Sequence, residues 1–411
     1  MKVEIRPSRA KGTVTAPPSK SMAHRLLICA GLAEGESVVR NLAYSEDVKA
    51  TIACLRSLGA EITLDGDTAV VKGVDPSKPL GKTAVLPCNE CGSTLRFFAP
   101  LCMLCGEERI LTGSERLMSR PLSVYENLAQ KQGIRFERYS DKLIVEGKLK
   151  SGAFDVPGNI SSQFISGLLF ALPFLREDSR IYEWPPFESM SYIFMTLQAM
   201  EEFGISVPYE YDESRGCVFL PVSHTEKYRS TAVTVEGDHS NAAFFEALNY
   251  AGSQVKVTGL NEDSAQGDRQ HKYFFEKLTK TDEIVNICEC PDLGPILFAV
   301  AALCGGGRFT GTRRLKIKES DRANAMKSEL KKFGITVDVE ENDVIVHPGE
   351  LRAPTEPLCG HNDHRIVMAL SVLLTKVGGV IDGAEAVSKS FPDFFDRLQN
   401  LGVDLTYGMD Q

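Results

Sequence analysis

The hydrophobic and polar positions of this chain repeat a pattern in which an apolar-faced helix ends at a glycine and continues into a strand. One example is Leu330–Val337 (LKKFGITV), and the corresponding glycines stand at positions 59, 133, 204, 334 and 402. Glycine enters the left-handed conformation at a helix C-terminus without a steric penalty, which explains its recurrence there. The gaps are 74, 71, 130 and 68 residues. The gap of 130 predicts one degenerate unit between its neighbours, ending near Phe275–Leu278.

The other half of each unit is a short polar segment followed by a nearly all-apolar run. The six segments are Ser19–Arg25, Gly92–Arg96, Gly158–Gln163, Gly237–Asn241, Pro291–Gly294 and Gly360–Arg365. A helix that is apolar on most sides is buried. Its polar N-terminal residues then either meet the others at one solvent-filled place or serve only as N-caps in separate loops. Their enrichment in Lys, Arg, His and Asp favours a common meeting place.

Short runs rich in Val, Ile and Leu between turn residues predict strands. They are Thr68–Lys72, Lys142–Glu146, Gly216–Leu220 and Asp343–His347. Each unit therefore mixes helices and strands around a buried helix. Three units in each half predict two similar α/β domains that divide near Val235–Asp238.

Composition narrows the class of protein. The 411 residues are 43% apolar and 25% charged, typical of a soluble globular protein of about two or three domains. The net charge of −9 argues against a nucleic-acid partner. The chain opens on a short alternating stretch, Val3–Arg6, rather than a signal peptide, and no apolar run reaches membrane-spanning length. Eleven cysteines then indicate reduced thiols and a cytoplasmic protein.

The most highly charged motif is Arg313–Arg322, with five cations and two carboxylates. It precedes an amphipathic helix that we expect to start near Ser320 as its N-cap. The buried face of that helix comprises Ala323, Met326, Leu330 and Phe333. Lys318 and Arg322 add full charges to the positive end of the helix dipole, which suits a phosphate or carboxylate ligand. Glu319 is either a salt-bridge partner or a proton carrier beside a bound anion.

Nine stretches, in order along the chain, resemble motifs of the 5-enolpyruvylshikimate-3-phosphate synthase family of enolpyruvyl transferases. They are Pro17–Arg25, Gly92–Arg96, Arg116–Pro121, Ser161–Gln163, Ser189–Tyr192, Pro291–Asp292, Lys318–Arg322, Asn362–Arg365 and Ser388–Pro392. Any one stretch is a weak signal, but the ordered set from residue 17 to residue 392 is specific.

The resemblance implies an α/β fold with two domains, described as an inside-out α/β barrel. Each domain would hold three βαβαββ repeats around buried parallel helices. The C-terminal domain would comprise residues 1–18 plus 237–411 and the N-terminal domain residues 19–236. A hinge near residues 18 and 236 would let the domains close on substrate.

The resemblance also implies a reaction. The enolpyruvyl group of phosphoenolpyruvate would pass to the 5-hydroxyl of shikimate 3-phosphate, with release of phosphate through a tetrahedral intermediate, in chorismate biosynthesis. We expect these two small molecules as the only partners, and neither a cofactor nor a metal. We also expect a monomer that contacts neither nucleic acid nor membrane. Gly92 would leave room for glyphosate, so we expect sensitivity to that inhibitor.

The family assigns roles to individual positions. Asp292 would be the base, Glu319 the acid, and Lys20 and Lys389 would stabilise developing charge. His364 either assists proton movement or is structural. Shikimate 3-phosphate would contact Lys20, Ser21, Arg25, Ser161, Ser162, Gln163, Ser189, Tyr192, Asp292, Arg314 and Lys318. Phosphoenolpyruvate would contact Lys20, Gly92, Arg96, Arg120, Gln163, Glu319, Arg322, Arg365 and Lys389. Two positions depart from the pattern, since Glu90 and Arg314 each stand where the family has Asn.

Two rival interpretations remain open. Cys88-x-x-Cys91 and Cys102-x-x-Cys105 have the spacing of a zinc ribbon, although the second pair lies in an apolar run, and His361-x-x-His364 has a metal-like spacing. The sister enolpyruvyl transferase acts on UDP-N-acetylglucosamine. It carries Lys-Asn where this chain has Lys20-Ser21, and usually a Cys in the loop that is Gly113–Arg120 here, where this chain has none.

Overall fold

A computed structural model describes residues 1–280 and 283–408. The chain divides into two compact units. Unit 1 comprises Met1–Ser19 together with Glu236–Gln411, and unit 2 comprises Lys20–Val235. Both units mix helices with strands, so the expected α/β class is confirmed. Among the described residues, no helix has the length and apolarity needed to span a membrane.

The strands are short, most of them three to six residues long. In chain order they are β1 Lys2–Ile5, β2 Lys11–Thr15, β3 Glu36–Arg40, β4 Glu61–Asp65, β5 Thr68–Lys72, β6 Ala84–Asn89, β7 Arg109–Gly113, β8 Arg135–Arg138, β9 Lys142–Glu146, β10 Ala153–Pro157, β11 Ser179–Trp184, β12 Glu210–Asp212, β13 Cys217–Val222, β14 Ala232–Thr234, β15 Gln254–Thr258, β16 Ile284–Asn286, β17 Gly307–Thr310, β18 Val337–Val339, β19 Asp343–Val346, β20 Leu358–Cys359, β21 Gly379–Asp382 and β22 Leu405–Gly408. Two of the four predicted strands, β5 and β9, have the predicted bounds, and β13 and β19 differ from them by one or two residues at their ends.

The helices are α1 Lys20–Leu32, α2 Glu46–Ser57, α3 Gly92–Cys102, α4 Glu115–Met118, α5 Ser123–Gln132, α6 Ser162–Ala171, α7 Met190–Glu202, α8 His239–Ala247, α9 His271–Leu278, α10 Gly294–Cys304, α11 Arg322–Lys332, α12 His364–Val377 and α13 Phe394–Asn400. Short 3-10 helices cover Leu172–Phe174, Leu248–Ala251, Gly267–Gln270, Pro291–Leu293, Arg313–Ile317 and Ala384–Lys389.

Unit 2 contains three four-stranded sheets with one shared topology. Their strand orders are β14-β3-β5-β4, β6-β7-β9-β8 and β10-β11-β13-β12. In each sheet the first two strands are parallel and the others antiparallel. Parallel neighbours require a crossover, and α3 and α6 supply it in the second and third sheets. In the first sheet β14, from the end of the unit, pairs beside β3 in place of a strand before α1.

Unit 1 repeats this topology twice, in the sheets β16-β17-β19-β18 and β20-β21-β1-β22. Its third sheet has two strands, β15 and β2. There α9 is followed by β16 of the next sheet rather than by a hairpin, which accounts for the degenerate unit predicted from the glycine spacing. The side chain of Asn249 bonds both the N–H and the C=O of Val255, at 2.7 and 2.9 Å, and so satisfies part of the edge left by the missing hairpin.

The predicted helix ends are confirmed at both termini. The five glycines at positions 59, 133, 204, 334 and 402 all have positive φ, between 69° and 106°. The six polar segments lead directly into α1, α3, α6, α8, α10 and α12, whose side chains are almost entirely buried. In α10 the side chains of Leu297, Phe298 and Val300 are fully excluded from solvent. Burial of each such side chain contributes about 1.5–3 kcal/mol, so these helices form the cores of the units.

Candidate active site

In unit 1 the carboxylate of Asp292 is surrounded by three cations. Asp292 lies in the 3-10 turn before α10, and its Oδ1 is 3.1 Å from Lys318 Nζ and 2.7 Å from Arg322 Nη1. Its Oδ2 is 3.0 Å from Arg365 Nη2. Cations from segments that are distant in sequence therefore meet at one carboxylate. Within this unit, this agrees with the prediction that the polar helix ends meet at a common place.

Arg322 is the centre of the charge network. Its side chain is 1% exposed, with Nη2 2.6 Å from Glu319 Oε2 and Nε 2.8 Å from Asp363 Oδ2. Burial would lower the pKa of Arg322, but the Asp363, Glu319 and Asp292 carboxylates raise it above its usual value. Glu319 therefore belongs to this salt-bridge network, while its role as a proton carrier beside a bound anion stays a prediction.

Lys318 has a different electrostatic setting from an ordinary lysine. Burial lowers the pKa of Lys318 to about 8, and the nearby Arg314 and Arg322 charges act in the same direction while Asp292 opposes them. An exposed lysine has a pKa of about 10.4. Lys318 therefore loses its proton at a lower pH than an exposed lysine, near pH 8.

The N-terminus of α12 joins this network through a residue absent from the predicted site. Asp363 is fully buried, caps α12 by accepting from Arg365 N at 3.0 Å, and also accepts from Ser320 Oγ at 2.9 Å. Arg365 Nη1 donates to Ser240 Oγ in α8. The signal for Asp363 was its N-cap position before an apolar run. The cap of α11 is Asp321 rather than the predicted Ser320, whose hydroxyl bonds Asp363 instead.

The remaining predicted residues of unit 1 lie on flanking segments. Arg314 is buried in the 3-10 helix Arg313–Ile317. Lys389, at the end of the 3-10 helix Ala384–Lys389, donates to Asn362 O at 2.7 Å, next to the cap of α12. His364 is 1% exposed, with Nδ1 3.9 Å from Asp363 Oδ1.

In unit 2, Lys20 opens α1 and forms an ion pair with Asp47 in the first turn of α2. Lys20 Nζ is 2.9 Å from Asp47 Oδ2, and the two side chains are only 13% and 12% exposed. Ser45 caps α2 by accepting from Val48 N, which fixes this turn. Asp47 was missed from the sequence. Its signal was a Ser followed by two acidic residues, an ordinary helix start.

Arg25 lies inside unit 2 rather than at its surface. Its Nε donates to Thr196 Oγ1 at 2.8 Å, Nη2 to Tyr192 O at 2.9 Å and Nη1 to Ser21 O at 2.7 Å. Burial lowers the pKa of Arg25 to about 10. The guanidinium therefore braces α1 against α7, a role that the sequence reasoning did not predict.

A second polar group joins the N-termini of α3 and α6. Arg96 Nη1 donates to Gln163 Oε1 at 2.7 Å, and Gln163 Nε2 donates to Ser93 Oγ at 2.9 Å. Gly92 lies against the guanidinium of Arg120, which a Cβ at position 92 would overlap. Four of the five predicted phosphoenolpyruvate residues of this unit therefore meet around the first turn of α3, and the fifth, Lys20, pairs with Asp47.

The serines predicted to hold shikimate 3-phosphate lie at the starts of two helices. Ser161 is the N-cap of α6 and accepts from Gln163 N at 3.3 Å, while Ser162 is the buried first residue of that helix. Ser189 precedes α7 in the left-handed region, with φ 59°, and is fully buried. A non-glycine residue in that region is uncommon and is often found at functional sites.

The rival metal interpretations are not supported at the predicted residues. In the part of the chain that is described, one group of three metal-binding side chains occurs, and it comprises His24, Asp47 and Cys91. The four cysteines do not form such a group. His361 Nε2 instead contacts Glu329 Oε1 at 2.9 Å.

A mixed α/β fold with cations and carboxylates at its buried helix ends suits a protein that binds small, multiply charged anions. Known proteins identify the class more closely. The model of the family described as EPSP synthase (3-phosphoshikimate 1-carboxyvinyltransferase) matches residues 5–398. A 3-phosphoshikimate 1-carboxyvinyltransferase of Clostridium perfringens is 39% identical over 425 residues, 98% of each chain. One of Clostridium kluyveri is 37% identical over 424 residues, again 98% of each.

A solved structure of EPSP synthase from Acinetobacter baumannii has the same fold, with a TM-score of 0.77 at 22% identity, and covers 99% of this chain and 100% of that one. The chain belongs to the EPSP synthase family.

Proposed function

We propose that the protein transfers the enolpyruvyl group of phosphoenolpyruvate to the 5-hydroxyl of shikimate 3-phosphate, with release of phosphate, in chorismate biosynthesis. The family match over residues 5–398 carries this proposal. The charged side chains at the helix N-termini support it because both substrates carry several negative charges. Guanidinium and ammonium groups bind phosphate and carboxylate oxygens strongly.

We assign shikimate 3-phosphate to hydroxyl, amide and cationic groups from both units. In unit 2 these are Lys20, Ser21, Arg25, Ser161, Ser162, Gln163, Ser189 and Tyr192. In unit 1 they are Asp292, Arg314 and Lys318. For Arg25, whose guanidinium is engaged inside unit 2, the role is to hold Ser21 and Tyr192 in place. For Ser189, in the left-handed turn before α7, the proposed role is to hold the start of that helix in place.

We assign phosphoenolpyruvate to a more strongly cationic set. In unit 2 it comprises Lys20, Gly92, Arg96, Arg120 and Gln163, and in unit 1 Glu319, Arg322, Arg365 and Lys389. Lys20 and Lys389 stabilise the charge that develops on the phosphate and carboxylate oxygens during addition and elimination. Arg120 lies over Gly92, so the absence of a side chain at position 92 sets the space available to the anion.

The proposed reaction needs two proton transfers. Asp292 takes the proton of the 5-hydroxyl, and Glu319 delivers one to the methylene carbon of phosphoenolpyruvate, with the roles partly reversed on elimination. His364, beside Asp363, orients the α12 end of the network. We also propose that Lys318 takes part in these proton transfers, since its Nζ lies 3.1 Å from Asp292 Oδ1 and its pKa is lowered.

We further propose that the two units form the inside-out α/β barrels of the family and that the protein acts as a cytoplasmic monomer. Its partners are the two substrates, and acid–base and electrostatic catalysis suffices for the chemistry, with no metal or organic cofactor. The repeated sheet topology supports the architecture. The absence of a side chain at Gly92 supports sensitivity to glyphosate.

The proposal is tested by phosphate release from phosphoenolpyruvate with shikimate 3-phosphate and UDP-N-acetylglucosamine as alternative acceptors. We expect release with shikimate 3-phosphate alone. Release with the nucleotide sugar alone would overturn the substrate assignment while leaving enolpyruvyl transfer in place. Release with neither acceptor would contradict the proposed function.

A further inference from the structure

Three side chains of different chemistry meet beside the Lys20 end of α1. His24 comes from α1, Asp47 from α2 and Cys91 from the N-cap of α3, and their ligand atoms all lie within 4.8 Å of one another. Cys91 Sγ is 3.9 Å from His24 Nε2. All three residues are buried. The catalytic roles proposed above use none of these three side chains.

One ring nitrogen of the buried His24 is anchored by a threonine hydroxyl, and the other lies near Cys91 Sγ. His24 Nδ1 lies 2.7 Å from Thr51 Oγ1, which in turn lies 2.8 Å from Thr94 Oγ1. A hydrogen bond at one ring nitrogen fixes the ring and leaves the other nitrogen to face a ligand, here Nε2 toward Cys91. Burial, with the charges of Lys20 and Arg25, lowers the pKa of His24 well below its usual value, so the ring is neutral.

Cys91 is buried at the N-terminal end of α3. Burial, and then the charge of Asp47, raises the pKa of the Cys91 thiol, so the thiolate does not form unaided. Its Sγ nevertheless accepts from Thr94 N at 3.4 Å at the positive end of α3. A bound cation supplies the positive charge that the thiolate still lacks.

The geometry points to a site for a divalent cation of the zinc type, formed by His24, Asp47 and Cys91. Tetrahedral zinc, with bonds of about 2.3 Å to sulfur and 2.0 Å to nitrogen, holds these two atoms roughly 3.5 Å apart. The observed distance of 3.9 Å between Cys91 Sγ and His24 Nε2 would therefore shorten by a few tenths of an ångström on metal binding. One thiolate and one imidazole favour Zn²⁺ or Co²⁺ over Mg²⁺ or Ca²⁺.

A metal ion at this site would compete with Lys20 for the Asp47 carboxylate. The ammonium group of Lys20 lies 2.9 Å from the Asp47 carboxylate that the ion requires, so the ion and the Lys20–Asp47 pair exclude each other. The partly exposed Lys20 and Asp47 side chains also provide the entry to an otherwise buried cluster. Occupancy displaces Lys20 and therefore inhibits the enzyme, a consequence that rests on the proposed function. The binding itself does not depend on that function.

The test is a titration of chelator-treated, fully reduced protein with Co²⁺. Binding is monitored through the thiolate-to-cobalt charge-transfer absorbance. We expect one Co²⁺ per chain, displaced by Zn²⁺ and not by Mg²⁺. Cys91→Ser keeps a good N-cap for α3 and should weaken binding by about 100-fold or more while abolishing the band. Cys359→Ser, which changes an exposed thiol, is the matched control and should leave both unchanged.

A second variant tests the competition directly. Lys20→Met removes the ammonium group, so we expect tighter Co²⁺ binding than in the unmodified protein. The proposed metal site would be overturned if Cys91→Ser kept the charge-transfer band. It would also be overturned if Lys20→Met bound Co²⁺ with unchanged affinity. Zn²⁺ should slow phosphate release in the unmodified protein but not in Cys91→Ser. If no acceptor supports phosphate release, the proposed function fails, and the cobalt band still decides the metal site.

Discussion

At the scale of single residues, the surroundings of a charged side chain indicate its role better than the residue type does. Asp292 touches three cations, and Arg322 touches three carboxylates, so neither is an isolated charge. Removal of one member leaves buried charges without their counter-ions, and such losses are costly. A substitution that keeps the shape of the side chain therefore tests its role more clearly than one that shortens the side chain.

Asp292→Asn keeps the shape of the side chain and removes the proposed base. We expect turnover to fall by about 100-fold or more, the usual contribution of a general base. The dissociation constant of shikimate 3-phosphate should stay within about tenfold, because Arg314, Lys318 and the unit 2 residues assigned to this substrate remain to bind the anion. Phosphate-release kinetics and calorimetry measure the two effects. Near-normal turnover would exclude Asp292 as the base.

The lowered pKa of Lys318 predicts a pH dependence of substrate affinity. The ammonium form predominates below about pH 8 and is lost above it, whereas an ordinary lysine stays charged to about pH 10.4. The affinity for shikimate 3-phosphate should therefore fall as the pH rises through about 8. Lys318→Arg should abolish this step by keeping its charge. Lys316→Met, at an exposed lysine nearby, is the control and should retain it.

Gly92→Ala tests the space beside Arg120. The added methyl group would overlap the guanidinium, which must move. We expect the KM for phosphoenolpyruvate and the inhibition constant of glyphosate both to rise, and the KM for shikimate 3-phosphate to change little. The free energy of unfolding of the same variant, measured with urea, checks that the kinetic changes do not come from lost stability. Equal changes in both KM values would argue against a local effect at the phosphoenolpyruvate site.

At the scale of elements, the segment before α12 is held by a buried carboxylate. Glu329 in α11 accepts from Cys359 N at 3.0 Å and lies 2.9 Å from His361 Nε2. His361 and Asn362 both adopt the left-handed conformation, with φ 49° and 51°. Such residues persist only where their surroundings hold them. Glu329 therefore fixes the approach to the Asp363 cap.

Glu329→Gln should lower the free energy of unfolding by about 1–3 kcal/mol, since it weakens charge-assisted hydrogen bonds in a buried place. Urea unfolding measures this value. Glu350→Gln changes an exposed glutamate and should have no measurable effect. If the two variants unfold alike, the carboxylate does not stabilise the segment.

Local patterns predicted the elements better than they predicted the contacts. The bounds of β5 and β9 follow from runs of β-branched residues between turns, and the glycine ends follow from backbone sterics. The ordered motifs also located Asp292 and Arg322. The sequence did not reveal that Asp47 pairs with Lys20 or that Thr196 holds Arg25, because those contacts depend on how separate helices pack.

At the scale of the whole molecule, one sheet topology recurs in five of the sheets formed by the described residues and is shortened in a sixth. The repetition lets distant motifs reach equivalent places at helix N-termini. It also ties the two ends of the chain together, since β1 pairs with both β21 and β22. The first strand of the chain is thus a central strand of the last sheet of unit 1.

Removal of residues 1–6 should therefore destabilise unit 1 more than the loss of six residues would ordinarily do. The deletion breaks both ladders of β1, separates β22 from the rest of its sheet, and removes the fully buried Val3 and Ile5. Loss of these two side chains alone costs about 3–6 kcal/mol, so we expect a fall of several degrees in Tm. Lys2→Gln changes an exposed side chain of β1 and keeps its backbone pairing, so it should unfold like the unmodified protein. A deletion variant with an unchanged Tm would show that β1 is dispensable, and the closure of this sheet by the chain termini would then contribute little to the stability of unit 1.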